Sequence, residues 1–249
     1  MITKGQAKFY QSLHHKKYRK EHGFFLVEGK KIVSDVFQYD WPCEVVLMTK
    51  EHEEFFNLNF PNHQHLFEVL EENDLKKLSQ LNTSPGVIAV LKNKDTKPAD
   101  SFKGFVLGLD GIKDPGNLGT IIRSAEWFGF EAIYLVNECV EWTNAKVLQA
   151  SMGSFIHIPI IESDIIRISE MKNFTHYAFE MEGKNAFEVK FQKPAMLWFG
   201  SESHGLSNEL KNLKPEKVTI PKSVSNSKTE SLNVATAVAI GIAAAMQSK

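Results

Sequence analysis

The sequence predicts an α/β protein in two parts, a mostly parallel sheet with helices on both faces preceded by a smaller α/β domain. Three observations carry this. Short apolar runs recur along the chain, each followed by a turn or a helix-compatible stretch, the pattern of strands alternating with helices. A polar stretch, Lys92–Ser101, lacks hydrophobic periodicity and separates two such series, so it reads as an interdomain linker between residues 1–98 and 103–249. The length of 249 residues, at 43% hydrophobic and 24% charged, suits one large or two modest globular domains.

Before the linker, Gly23–Val27, Glu44–Met48 and Gly86–Leu91 read as short buried strands, with helical stretches around 30–38 and 73–79. After it, apolar runs fall at Phe105–Leu109, Ala132–Val136, Phe155–Ile160, Tyr177–Phe179, Met196–Phe199 and Val218–Ile220. Strands in this rhythm form a parallel sheet covered on both faces, and ligands bind such sheets in loops beyond the carboxyl ends of the strands. The final apolar run, Val234–Met246, is about 13 residues long against the roughly 20 needed to cross a bilayer, so it is expected to be a buried helix. The N-terminus carries no apolar signal region, and the two cysteines, Cys43 and Cys139, match no metal or redox spacing. A reduced, cytoplasmic chain is expected, without membrane or metal, its cysteines buried as small apolar residues.

Three segments carry candidate chemistry. In Leu109–Phe130 a strand passes through a polar turn into a helix. Asn117 is the expected N-cap and Gly129 the stop. Leu118, Ile121, Ile122 and Ala125 share the buried face, whereas Gly116, Thr120, Arg123 and Trp127 line another side, so Arg123 projects near the strand ends. Such an arginine is ordinarily a solvated charge. The glycines match neither a dinucleotide fingerprint nor a Walker loop. The second segment, Met196–Ser207, is a buried strand ending at Gly200, then the loop Ser201-Glu202-Ser203-His204-Gly205. Gly200 permits close approach of a ligand to the backbone. The flanking glycines do not have hydrolase-elbow spacing around either serine, which leaves His204 as a loop histidine. The third runs from Val218-Thr219-Ile220-Pro221 through a polar loop to Ser231-Leu232-Asn233, where Ser231 is the expected cap of an Ala-rich helix.

In this order the three segments resemble the motifs of the SpoU (TrmH-like) branch of the SPOUT RNA methyltransferases. The N-terminal residues Phe24–Gly29 and Thr83–Val87 are similar to the family's small, L30e-like substrate-binding domain. The resemblance implies a deep trefoil knot in the C-terminal domain, S-adenosyl-L-methionine as cofactor, a homodimer, and methyl transfer to a ribose 2′-hydroxyl of RNA. Ribosomal RNA is the expected substrate. Carried over residue by residue, Arg123, Asn117, Glu202, Ser231 and Asn233 are the catalytic set, and Gly200, Ile220 and Leu232 hold the cofactor. Arg123 would serve either as the base for the hydroxyl or as a cation gripping the adjacent phosphate; arginine's very high proton affinity makes the second role less demanding. One departure from the family pattern is the longer loop Lys222–Glu230, which carries Lys222 and Lys228.

With 29 basic against 30 acidic residues, the net charge of −1 demands a local patch for RNA. Residues 1–22 supply one: Lys4, Lys8, Lys16, Lys17, Arg19 and Lys20 against Glu21, interleaved by His14, His15 and His22. Lys16, Lys17 and Arg19 are the expected phosphate contacts. The competing readings are a transfer RNA 2′-O-methyltransferase, a base methyltransferase, and a non-catalytic RNA-binding or ribosome-assembly factor.

Overall fold

The computed structural model describes residues 2–94, 102–171, 174–222 and 229–247. Residues 95–101 of the expected Lys92–Ser101 linker, with the domain limit at 98, and residues 223–228 of the polar loop, Lys228 among them, lie outside the described residues. The chain divides into two compact units. One holds the elements before the linker together with Thr143–Ile156; the other holds the remaining elements after it.

The first unit contains α1 (Lys4–Ser12), α2 (Lys16–His22), β1 (Phe24–Glu28), α3 (Lys30–Gln38), β2 (Cys43–Met48), α4 (Lys50–Asn59), β3 (Phe67–Val69), α5 (Glu72–Leu78) and β4 (Val87–Lys92). Its sheet has the order β1-β4-β2-β3, antiparallel except for β2 beside β3. The three expected strands and the two expected helices are present, and the structure adds α1, α2, α4 and β3. A capping box starts α1, in which the Thr3 hydroxyl accepts from Gln6 N at 3.2 Å and the Gln6 side chain accepts from Thr3 N at 2.9 Å. Gly23, at φ +71°, stops α2 with a left-handed turn that favours glycine.

The second unit contains β5 (Phe105–Asp110), α6 (Pro115–Trp127) and β6 (Ala132–Val136). Then α7 (Ala145–Ser151), assigned to the first unit, packs against β1. Next come β7 (Ile160–Glu162), α8 (Ile165–Ser169), β8 (Thr175–Asn185), β9 (Ala195–Gly200), α9 (Asn208–Lys211), β10 (Glu216–Thr219) and α10 (Val234–Gln247). The sheet runs β10-β8-β9-β5-β6-β7 with every pairing parallel, as the sequence predicts. All six carboxyl ends therefore face one way, and β5 sits near the middle with Asp110 in register with Gly200 of β9 and Val136 of β6.

Close packing fixes the helices over this sheet. Trp198 is fully buried across Gly108, where a Cβ would lie 2.3 Å from the indole. On α10, Gly241 lets the helix settle against the stacked rings of Phe179 and Phe199, 4.4 Å apart; a Cβ there would meet both rings at 2.7 Å. In this position α10 also packs against α6, which brings the start of α6, in the first motif, to the start of α10, in the third.

Local expectations need four corrections. The N-cap of α6 is Asp114, whose Oδ1 accepts from Asn117 N at 2.7 Å; Pro115 occupies the first helical position, where its missing N–H costs nothing. The cap of α10 is Asn233, not Ser231: its Oδ1 accepts from Ala235 N at 2.9 Å and Thr236 N at 3.3 Å. Phe155–Ile160 is not one strand. Positive φ at Met152 and Gly153, with Pro159 downstream, confines the strand to β7, and Ser154–Ile156 is a short 3-10 turn. Both cysteines are only half-buried, and burial pushes the Cys43 thiol up to about 12.

Candidate active site

The site is built where the carboxyl ends of β5, β6 and β9 meet the start of α10. Asp110, the last residue of β5, is 3% exposed, and a buried carboxylate must be matched by donors. Its Oδ1 accepts from Asn137 Nδ2 at 2.8 Å and its Oδ2 from Ser207 N at 2.7 Å. Asn137 follows β6 in a left-handed conformation, φ +50°, which asparagine tolerates better than most residues, and it also donates to Ser207 Oγ at 3.0 Å. Ser207 in turn caps α9 by accepting from Leu210 N at 3.3 Å. One buried carboxylate thus ties the exits of two strands to the far end of the loop that follows β9.

That loop begins at Gly200, which must be glycine: a Cβ would lie 2.1 Å from the carbonyl carbon of Gly205. The turn closes through Ser201 N to Gly205 O at 3.1 Å and Gly205 N to Ser201 O at 2.9 Å. His204 is engaged locally, its Nδ1 2.7 Å from Ser203 Oγ, which fits a loop histidine.

At the tip of the loop, Glu202 joins the other two motifs. Its Oε1 accepts from Asn117 Nδ2 at 3.0 Å, Asn233 Nδ2 at 3.0 Å and Val234 N at 3.2 Å. Asn233 Nδ2 also donates to Asn117 Oδ1 at 3.0 Å. Placing a carboxylate at the first turn of α10 is favourable twice over, for the unpaired N–H groups and for the helix dipole. Three residues that are far apart in sequence therefore form one hydrogen-bonded junction.

Arg123 does not enter it. Its side chain is exposed on α6, two turns past Asn117, and makes no hydrogen bond or ion pair with the described residues. Asn117 and Glu202 are instead committed to Asn233 and to the start of α10. The guanidinium is left open to an anionic ligand.

Ser231 and Leu232 immediately precede the junction and are exposed, Leu232 to 45% in an otherwise polar segment. Ile220, half-buried, follows β10 at the same end of the sheet as Gly200. In the first unit, Lys16 and Lys17 are exposed on α2. Arg19 is not available to RNA phosphate: it is 7% exposed, and its Nη1 donates to the carbonyls of Leu13 and His14, both at 2.9 Å. It braces the turn between α1 and α2 from inside.

Sequence reading missed Asp110, Asn137 and Ser207. The available signal was an aspartate ending an apolar strand, a residue type rarely buried unless paired. Among the described residues, no group of three or more histidine, cysteine or carboxylate side chains could hold a metal, and no helix is long and apolar enough to cross a membrane.

Comparison with known proteins bears on both units. A model of the SpoU rRNA Methylase family matches residues 104–243, and one of the MRM3-like substrate binding domain matches residues 4–89. The chain is 30% identical to an uncharacterized tRNA/rRNA methyltransferase of Synechocystis, across 92% of this chain and 86% of that protein. It is 27% identical to the 23S rRNA (guanosine(2553)-2′-O)-methyltransferase RlmP of Bacillus subtilis, across 94% and 93%. Among solved structures, an AdoMet-bound rRNA methyltransferase from Sinorhizobium meliloti superposes with a TM-score of 0.86 at 26% identity, covering 98% of this chain and 95% of that one.

Proposed function

The chain belongs to the SpoU rRNA methylase family, and from that premise we propose that it transfers a methyl group from S-adenosyl-L-methionine to a ribose 2′-hydroxyl of ribosomal RNA, acting as a cytoplasmic homodimer. The observation that carries the reading is the junction of Asn117, Glu202 and Asn233, which unites the three motifs at the carboxyl end of a parallel sheet. Relatives named for 2′-O-methylation of 23S rRNA support the substrate. The family's trefoil knot is part of the same reading.

The residues present suit the cofactor. Gly200 and its tight loop keep side chains away from the strand end, and Leu232 and Ile220 offer apolar surface for an adenine ring, whose edge backbone groups of these segments would bind. When bound, the cofactor supplies an electrophilic methyl on its sulfonium. Asp110, through Ser207 and Asn137, holds the loop that would frame it.

In this reading Arg123 acts as a cation. Exposed and unpartnered among the described residues, it has the geometry to grip an RNA phosphate bidentately and set the neighbouring ribose in line for attack. Glu202, with three donors on one oxygen, acts as a positioning residue that fixes Asn117 and the start of α10. The exposed Trp127 (81%) and Met246 (43%), on the mutually packed helices α6 and α10, support an interface with a second copy. The 1–98 segment would take up RNA, through Lys16 and Lys17 but not Arg19.

The test is incubation of the purified chain with S-adenosyl-L-methionine and ribosomal RNA from a strain lacking the gene, followed by nuclease digestion and mass spectrometry. A new 2′-O-methylated nucleoside is expected, absent with Arg123→Ala. A base-methylated product, or tight RNA binding with no cofactor binding, would overturn the proposal.

A further inference from the structure

His15, the N-cap residue of α2, and Tyr18 and His22 within the helix follow one another at positions i, i+3 and i+7, and ring contacts link the three. All three are exposed, Tyr18 to 36%. Their rings are mutually organised: Tyr18 and His22 lie 6° from parallel with centroids 6.1 Å apart, and His15 meets Tyr18 edge-on at 6.3 Å. His22 is held from behind by Phe9 of α1, edge-on at 5.2 Å. Lys17 Nζ sits 5.7 Å from the Tyr18 ring centre, and Lys16 is exposed beside it. The buried Arg19 holds the backbone at the start of this helix through the Leu13 and His14 carbonyls.

The near-parallel Tyr18 and His22 rings, with His15 edge-on to Tyr18 and lysines beside them, complement a ligand that carries both flat apolar faces and regularly spaced negative charge. Base pairs inside a duplex hide their faces, so a duplex can use only the lysines. An unpaired RNA segment can use both, its bases stacking on the rings while its phosphates meet the lysines. We infer that the Tyr18 and His22 rings of α2, with His15 at its N-cap, form a stacking platform for unpaired nucleotides of the RNA, a refinement that rests on the RNA-methyltransferase reading above.

The experiment compares binding of the full chain to a fluorescently labelled, unstructured single-stranded RNA and to the matching duplex, by anisotropy across a salt series. Tyr18→Ala is expected to weaken the single strand by roughly tenfold or more, to leave the duplex within about twofold, and to leave the salt dependence unchanged. Tyr18→Phe should restore binding, because the ring face and not the hydroxyl is used. Lys16→Ala and Lys17→Ala should weaken both RNAs and flatten the salt dependence. Equal loss for single strand and duplex in Tyr18→Ala, or no loss in either, overturns the platform, as does binding of the duplex alone. Methyl transfer to ribosomal RNA, measured on the same preparation, reports separately on the enzymatic reading, so an active enzyme indifferent to Tyr18→Ala refutes only the platform.

Discussion

The main-chain N–H of Ser207 reaches back across the carboxyl end of the sheet to Asp110, donating to its buried Oδ2 at 2.7 Å although the two residues are 97 positions apart. This bond and its partner from Asn137 hold the loop that carries Glu202. Asp110→Ala would leave the Ser207 N–H and the Asn137 amide without their acceptor, a loss of about 1–3 kcal/mol in stability. Denaturant unfolding should show that loss, and calorimetry should show cofactor affinity falling by at least about fivefold. Unchanged cofactor affinity in a folded variant would remove Asp110 from the site.

Asn233 has two roles that substitution separates. Its oxygen caps α10, and its amide donates to Asn117 and Glu202. Asn233→Ala loses both and should cost about 1–2 kcal/mol of stability along with activity. Asn233→Asp keeps a capping oxygen but sets a second carboxylate against Glu202. Thermal melting should therefore move less in the aspartate variant than in the alanine variant, while methyl transfer falls in both.

Arg123→Lys distinguishes a phosphate anchor from a base. As an anchor, lysine keeps the charge and loses the planar fork, so kcat/KM should drop by about tenfold, largely through KM for RNA, with the pH profile unaltered. A base would behave differently: lysine releases its proton more readily than arginine, and activity would climb steeply with pH. That climb is the outcome the anchor assignment forbids.

His176 accepts from the indole N–H of the buried Trp198, Nδ1 to Nε1 at 3.0 Å, and burial lowers its pKa. The folded protein thus resists protonation that the unfolded chain accepts near pH 6.5. The resulting stability is complete above that value and is lost as pH falls below it, toward the lowered folded-state pKa. Between pH 7 and 5 the parent should lose more stability than His176→Gln, which retains an acceptor but does not titrate in that range. Parallel pH curves for the two would show that His176 is not responsible.

The sheet was legible because its strands are short apolar runs, and α3 was read at its observed limits because its Val33, Val36 and Phe37 keep helical spacing. The caps were harder, since Asp114 and Asn117, or Ser231 and Asn233, are all competent capping types within three residues of each other. Pro115 could have settled the first case, because proline favours the first helical position. Helices α1 and α2 read only as a charged patch; their apolar contacts, such as those of Tyr10 and Leu13 with the rest of the first unit's core, are long-range. Nor does local spacing reveal that the Leu13 and His14 carbonyls will claim Arg19, or that Asp110 will meet Ser207.

The Asn117–Glu202–Asn233 junction also sets an order of events during synthesis. The ribosome delivers Asn117 first, Glu202 next and Asn233 last, so a nascent chain that has already completed β9 still offers Glu202 only one of its three donors. A product stopped short of Asn233 would contain all six strands of the sheet yet offer Glu202 the Asn117 amide alone. Competence is thereby reserved for chains that have been translated through all three motifs.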